Sequence, residues 1–89
     1  MNASSHKQIV ADTGCVICLE HYSTHTPACV HHVAEGSGER SDFMTAGLCH
    51  EHHQGATGLH GMGVRAFCKL WGLANEYALL GLVNKYRRK

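Results

Sequence analysis

Two short pairs of thiol and imidazole side chains constrain this chain more than any other feature of its sequence. Cys15 and Cys18 form a C-x-x-C pair, and Cys49 and His52 form a C-x-x-H pair after 30 intervening residues. Each pair can grip one side of a metal ion, and two such half-sites complete a tetrahedral Cys₃His zinc site. A chain of 89 residues buries only a small core, so a structural zinc would supply folding energy directly.

The alternative interpretation of Cys15 and Cys18 is a redox pair, but that motif belongs to a βαβ context, which this sequence lacks. The five cysteines are an odd number, which argues against a fully paired disulfide framework. No apolar run approaches the roughly 18 residues that span a membrane, and the N-terminus lacks a signal-peptide core. We therefore expect a cytoplasmic protein with no membrane partner, in which clustered cysteines indicate a metal.

Cys29 and Cys68 stand outside both pairs, and lone cysteines are more often small core residues than ligands. A second metal site that pairs one of them with His25 or His60 is the alternative. Four of the nine histidines are expected to be ordinary surface or tail residues, namely His6, His21, His25 and His50.

The apolar pattern predicts a small α+β fold. Residues 28–34 and 43–48 are short apolar runs that flank a glycine-containing turn, which predicts a β-hairpin with a long loop. Residues 49–54 would open a His-rich helix, and the glycines of residues 58–63 prevent a long regular helix there. The hairpin and this helix are therefore expected to be neighbours.

Helical segments are expected at residues 64–71 and 75–86, with Phe67 and Trp71 in the small core. Both cysteines of the C-x-x-C pair are placed in a turn over residues 12–20. Residues 1–12 are expected to be a flexible N-terminus, and residues 13–89 a single domain with a C-terminal helical extension.

Histidines cluster on the predicted hairpin and on the helix after it. His31 and His32 are adjacent in a strand, so their side chains point to opposite faces, and His53 follows 21 residues after His32. One of these two strand histidines can bind a metal that His53 helps to hold, while the other faces a substrate. Such a metal would stabilise charge on a phosphate and its leaving oxygen, and the free imidazole would take a proton from the attacking water.

The ordered stretches C-V-I-C, V-H-H-V and S-D-F-M-T-A-G-L-C-H-E-H-H-Q-G resemble the zinc-containing HNH endonucleases, which have the ββα-metal fold. The resemblance covers about residues 14–70. The G-L-H-G-M-G segment is similar to small phage proteins of this group, including recombination-enhancement nucleases that act with a host recombinase. The resemblance therefore implies a ββα-metal core, stapled by a structural zinc and followed by C-terminal helices.

Roles follow from the matched positions of the family's motifs. His31 matches the metal ligand on the strand, His53 matches the closing histidine that also binds the metal, and His32 matches the general base. The resemblance implies a catalytic divalent metal such as Mg, Mn, Ni or Zn, in addition to the structural zinc. The positions that match the structural-zinc ligands are Cys15, Cys18, Cys49 and His52.

The middle asparagine of the family motif is missing from this chain. In the family it holds the loop that orients the general base, and residues 41–45 supply two substitutes. Thr45 could hold the loop through its hydroxyl, and Asp42 could accept an N–H from His32.

His60 lies seven residues after His53, and a loop would swing it to the metal; the alternative is a surface histidine.

Charge is divided along the chain. Residues 1–61 carry six acidic and two basic side chains, for a net charge of −4, whereas residues 62–89 carry six basic and one acidic, for +5. A basic C-terminal third beside a metal site fits a phosphate partner. For the last basic residues the alternative is a solvated helix end favoured by the helix dipole. The candidate nucleic-acid-binding residues are Arg65, Lys69, Arg87, Arg88 and Lys89.

The function expected from these residues is a metal-dependent DNA endonuclease, phage-derived and linked to recombination through a host recombination protein. The alternative is a non-catalytic zinc module that binds nucleic acid or a protein. A third, weaker alternative is a metal-storage or metal-sensing chain. The sequence shows no clear dimer surface, and it does not indicate an oligomeric state.

Overall fold

In the computed structural model, which describes residues 2–33 and 41–87, helices pack against a two-stranded antiparallel sheet. The elements follow one another along the chain as α1 (Ala3–Thr13), α2 (Val16–Tyr22), β1 (Cys29–His32), β2 (Thr45–Leu48), α3 (His50–Gln54), α4 (Leu59–Met62), α5 (Val64–Trp71) and α6 (Ala78–Tyr86). The small α+β class is therefore confirmed, while the ββα-metal core stays a prediction. Within the two described ranges, no helix is long and apolar enough to cross a membrane.

β1 and β2 form the hairpin that the two apolar runs predict. Cys29 lies opposite Leu48, and His32 lies opposite Thr45. All four residues of β2 are buried, whereas His31 is the buried residue of β1. The hairpin therefore carries His31 into the interior, next to the helices that follow. Most of the predicted turn between the strands, residues 34–40, lies outside the described residues.

The N-terminal segment, which we expected to be flexible over residues 1–12, contains α1, which begins at Ala3. The Asn2 side chain caps this helix by accepting a hydrogen bond from the Ser5 N–H at 2.8 Å. Val10 is the one buried residue of α1, and a single buried residue leaves no 3.6-residue apolar period in the sequence. Contacts of α1 with both strands stabilise it instead.

The first cysteine pair lies at the start of a helix rather than in the turn expected over residues 12–20. Cys15 is the N-cap of α2, and Cys18 lies in its first turn. The Cys15 carbonyl oxygen accepts the Leu19 N–H at 3.1 Å. Residues 15–18 are all buried, and a continuous buried run shows no helical period, so the pattern alone could not distinguish a helix here.

β2 lies directly against the turn that leads into α2. A Cβ atom on Gly47 would collide with the carbonyl oxygen of Gly14 and would approach the Cβ of Ala28 to 3.1 Å. Gly14 has a φ angle of +88°, which a side chain would strain. These two glycines let the backbone just before Cys15 rest on the sheet, so they fix the position of the first cysteine.

The C-terminal half forms three further helices after α3 in the described part of the chain. α4 is a single turn, as the glycines allow, and α5 has the bounds that the sequence predicts. α6 begins at Ala78 rather than Asn75, because residues 75–77 accept i+3 hydrogen bonds and form a tighter turn. Phe67 is fully buried and Trp71 is partly buried against the core, as predicted.

We predict that Gly47→Ala lowers the free energy of unfolding by about 1–3 kcal/mol, because the new methyl group must displace the Gly14 carbonyl. Gly81→Ala is the matched control. A Cβ there meets nothing within 4 Å, and α6 gains helix propensity, so we expect a gain of about 0.5–1 kcal/mol. Chemical denaturation measures both variants. Equal effects would contradict the close approach of β2 to Gly14.

Candidate functional site

Four buried side chains from the start of α2 and the start of α3 converge on one point. The Nδ1 atom of His52 lies 3.5, 3.6 and 3.3 Å from the sulfur atoms of Cys15, Cys18 and Cys49. The sulfur atoms of Cys18 and Cys49 are 4.0 Å apart. Tetrahedral zinc with Zn–S bonds of about 2.3 Å places neighbouring donors about 3.7 Å apart. The donor spacing therefore fits, and this Cys₃His cluster could bind a metal such as zinc.

Burial opposes the charged forms of two of these four side chains. It raises the pKa of the Cys15 thiol to about 12, and it lowers the pKa of His52 below its ordinary value. The neutral His52 ring keeps a lone pair for a metal, whereas a metal-bound thiol must lose its proton. A buried thiolate at Cys15 needs a cation beside it, so metal binding and folding are expected to be coupled.

Aromatic side chains cover the Cys₃His cluster on one side. The rings of Trp71 and His52 meet edge to face with centroids 4.9 Å apart, and Tyr22 stacks on His52 at 6.5 Å. The Nε2 atom of His21, which we expected to be an ordinary surface residue, lies 3.1 Å from the Trp71 carbonyl oxygen. This contact ties the end of α5 to α2 and holds Trp71 over the cluster.

Three histidines from three different elements converge on a second point. His31 of β1, His53 of α3 and His60 of α4 each place one nitrogen within 4.8 Å of the other two. Burial, followed by the neighbouring imidazoles, lowers the pKa of His53 and favours the neutral ring that metal binding requires. Imidazole nitrogens suit zinc, nickel, copper and iron ions, so this second group is a candidate metal site.

His60 reaches the other two histidines because the chain folds back after α3. The sequence predicts a loop here, whereas the structure forms α4. The Glu51 carboxylate accepts hydrogen bonds from the Thr57 hydroxyl at 2.6 Å and the Thr57 N–H at 3.0 Å, which fastens the turn to α3. A Cβ atom on Gly61 would collide with the Gly55 carbonyl oxygen. Glycine at position 61 therefore lets α4 lie against the end of α3.

His32, the next residue of β1, contacts a different partner. Its Nε2 lies 2.7 Å from Oδ1 of Asp42, and this hydrogen bond, more than the charge of nearby Lys7, lowers the pKa of the Asp42 carboxyl. A carboxylate only accepts, so Nε2 carries the hydrogen and the neutral ring has its lone pair on Nδ1. The Thr45 hydroxyl donates to the Asp42 carbonyl oxygen at 3.0 Å. Both residues named as substitutes for the missing asparagine therefore lie behind His32.

Two charged residues at this site were missed from the sequence. The Glu76 carboxylate lies 2.8 Å from Nε2 of His31, and the Lys7 ammonium lies 3.6 Å from the Asp42 carboxylate. Glu76 had one signal, since it is the only acidic residue among residues 62–89. Lys7 had none, because its segment was expected to be flexible.

Two adjoining clefts lie beside the histidines. The first, of about 230 Å³, is lined in part by His31, His32 and His60. The second, of about 310 Å³, runs along α5 and shares Val64 and Glu76 with the first. The two clefts therefore share one edge, formed by Val64 and Glu76.

The predicted nucleic-acid-binding residues fall into two regions. Arg65 and Lys69 lie one helical turn apart on α5, are exposed, and line the second cleft. Arg87 lines neither cleft and follows α6, whose Lys85 is bound to Glu20 of α2 at 2.8 Å. The remaining two predictions, Arg88 and Lys89, lie outside the described residues.

The two unpaired cysteines have different surroundings. Cys68 is buried, as predicted for a small core residue, whereas Cys29 is exposed, and the core prediction is wrong for it. Neither belongs to the two candidate metal groups found within residues 2–33 and 41–87. A further metal site with His25 has no support there, and the His25 ring instead lies 3.3 Å from the Asp12 carbonyl oxygen.

No family model, curated protein or solved structure matches this chain when it is compared with known proteins. The resemblance to HNH endonucleases therefore remains a prediction from its motifs.

We predict about one tightly bound Zn²⁺ per chain, lost together with the fold in Cys15→Ser. The reason is that a structural zinc contributes on the order of 10 kcal/mol to folding. Cys29→Ser is the control, because Cys29 is exposed and outside both clusters, and it should retain zinc and thermal stability. Elemental analysis and circular dichroism measure both properties. A well-folded chain without zinc would contradict the structural role of the cluster.

Proposed function

We propose that this protein is a metal-dependent DNA endonuclease of the HNH type that hydrolyses phosphodiester bonds. The observation that carries the proposal is that His31 and His32, which are adjacent on β1, belong to two neighbouring groups with different chemistry. His31, with His53 and His60, offers three nitrogens to a divalent cation, and His32 stands beside it with Asp42 at its Nε2 atom. Because His31 and His32 line the same cleft, a phosphate in that cleft would meet both groups.

The chemistry divides between the two groups. A divalent metal such as Mg, Mn, Ni or Zn, when bound, stabilises negative charge on the phosphate and on the leaving oxygen. His32 accepts, on Nδ1, the proton of the water that attacks phosphorus. Asp42 orients the His32 ring and stabilises its charged form, as the acid does in hydrolytic triads. Thr45 keeps Asp42 in place through the carbonyl oxygen of that residue.

The clefts suggest the path of the substrate backbone. A strand whose phosphate lies at the histidines would continue along α5, where Arg65 and Lys69 reach its next phosphates. Such contacts are electrostatic, largely independent of base sequence, and weakened by salt. The acidic body and basic C-terminal third of the chain favour the same orientation of DNA.

Phage origin and action with a host recombination protein are carried by the resemblance alone, and we propose them on that basis.

The alternative function is a zinc-stabilised module that binds nucleic acid or a protein without cleaving it. The Cys₃His cluster and the basic face of α5 would serve that module equally well. The contact between His32 and Asp42 is what favours an enzyme, because a binding module needs no oriented proton acceptor.

We predict that the purified protein nicks plasmid DNA with Mg²⁺, Mn²⁺, Ni²⁺ or Zn²⁺, and that His32→Ala lowers the rate about 10²- to 10⁴-fold by removing the general base. His50→Ala is the control, because His50 is an exposed histidine of α3 outside both candidate metal groups. Zinc content and circular dichroism should be unchanged in both variants. Equal nicking rates for the wild type and His32→Ala would contradict the role of His32 as the general base. DNA binding without cleavage under every metal would favour the module.

We predict that Arg65→Ala and Lys69→Ala each weaken DNA binding about equally for all sequences. Each lost phosphate contact should reduce the slope of log K against log salt by about 0.7–0.9. Lys85→Ala is the matched control, since that lysine is bound to Glu20 and lines neither cleft. Fluorescence anisotropy over a salt series measures the slopes. An unchanged slope in both α5 variants would show that DNA does not bind along this helix.

A further inference from the structure

We propose that Glu76 is a positioning residue of the histidine metal site. Its carboxylate holds His31 in the ring orientation and tautomer that bind the metal. The inference rests on the proposed function only in requiring a metal at His31, His53 and His60. It does not require that DNA is cleaved.

The contact between the two side chains is short and shielded from water. Oε2 of Glu76 lies 2.8 Å from Nε2 of His31, and the side chains are 14% and 3% exposed, respectively. A carboxylate only accepts, so Nε2 of His31 carries the hydrogen and donates it. A neutral imidazole has one lone pair, and it then belongs to Nδ1. The proposal therefore requires that a cation at the histidine group binds Nδ1 of His31.

Carboxylate groups behind metal-binding histidines have a known physical effect. They fix the tautomer and orientation of the ring and raise its basicity, and removing them typically costs 10- to 100-fold in metal affinity or activity. The low exposure of both side chains strengthens this hydrogen bond, because little water competes for it. Glu76 thus acts on the metal through His31.

The donor geometry distinguishes this role from direct metal binding. The group of mutually close donor atoms contains the nitrogens of His31, His53 and His60 and does not include the Glu76 carboxylate. Among the described residues, the Glu76 carboxylate is hydrogen-bonded to one member of the group, His31. The structure therefore favours a carboxylate behind the ligand over a fourth ligand.

The position of this charge also favours a cation nearby. Glu76 lines both clefts and is the only acidic residue in a segment that otherwise carries six basic side chains. The negative charge of this carboxylate, next to His31, favours a cation at the histidine group.

The backbone around Glu76 is suited to hold the carboxylate in place. It lies in the tight turn between α5 and α6, where its own carbonyl oxygen accepts the Leu79 N–H at 3.1 Å. Leu79 is fully buried in the core. The packing of α6 against the core therefore helps to fix the position of Glu76 beside His31, which is 45 residues away in sequence.

The test measures metal binding rather than cleavage. Co²⁺ is titrated into the full chain with its Cys₃His cluster already filled with zinc, and binding is followed by calorimetry and by visible absorption. We expect Glu76→Ala to weaken the second metal about 10- to 100-fold. Glu76→Gln, whose amide oxygen still accepts from Nε2 of His31, should weaken it by less than about tenfold. Glu20→Gln is the matched control, because Glu20 is a paired carboxylate outside both clefts, and it should bind Co²⁺ as the wild type does.

The outcomes separate this inference from the proposed function. A wild-type chain that binds no second metal would overturn the metal site and the nuclease with it. A second metal bound equally well by the wild type and Glu76→Ala would overturn the role of Glu76 alone. Equal losses in Glu76→Gln and Glu76→Ala would exclude hydrogen-bond positioning.

A measurement on the unaltered protein decides the matter even if Glu76→Ala does not fold. Long-range ¹⁵N–¹H correlation spectra report which ring nitrogen of each histidine carries a hydrogen. We expect the hydrogen of His31 on Nε2, both before and after Zn²⁺ fills the second site. A hydrogen on Nδ1 would overturn the proposal, because the Glu76 carboxylate could not then accept it.

Discussion

The Cys₃His cluster is the contact on which the rest of the structure depends. It joins the start of α2 to the start of α3, two segments that are separated by 30 residues and lie on either side of the hairpin. Burial raises the pKa of its Cys15 thiol, so a metal bound at this cluster would couple metal binding to folding. Since His52 and His53 are consecutive on α3, whatever holds His52 also sets the direction of His53. The position of His53 in the second cluster therefore depends on the first cluster.

Two pairs of consecutive histidines divide the chemistry between them. In the strand, neighbouring side chains point to opposite faces, so His31 enters the histidine cluster while His32 meets Asp42. In the helix, neighbours are about 100° apart, so His52 turns to the thiols while His53 turns to His31. In the proposed nuclease, a proton acceptor and a metal ligand are thereby held one residue apart without any loop that has to close.

The local motifs of this chain were readable from its sequence, and its long-range contacts were not. The cysteine pairs, the hairpin and the bounds of α5 follow from spacing and apolar runs, which the sequence shows directly. α1 and α2 were missed because their buried residues, a lone Val10 and the run at 15–18, have no helical period. Glu76 meets His31 across 45 residues, and Lys7 of α1 meets Asp42, which precedes β2. Such pairs depend on how α1 and α6 pack, which no local pattern reports.

Where the resemblance to HNH endonucleases predicts an asparagine, this chain offers Asp42 and Thr45 instead. One asparagine side chain can both fix a loop and hold the base. Here the two tasks are separate, because the Thr45 hydroxyl fixes the backbone at Asp42 while the Asp42 carboxylate holds His32. The replacement is not neutral in charge. In the proposed nuclease, a carboxylate beside His32 stabilises a charged imidazole in the transition state, whereas an amide does not. Lys7, at 3.6 Å from the same carboxylate, offsets part of its negative charge.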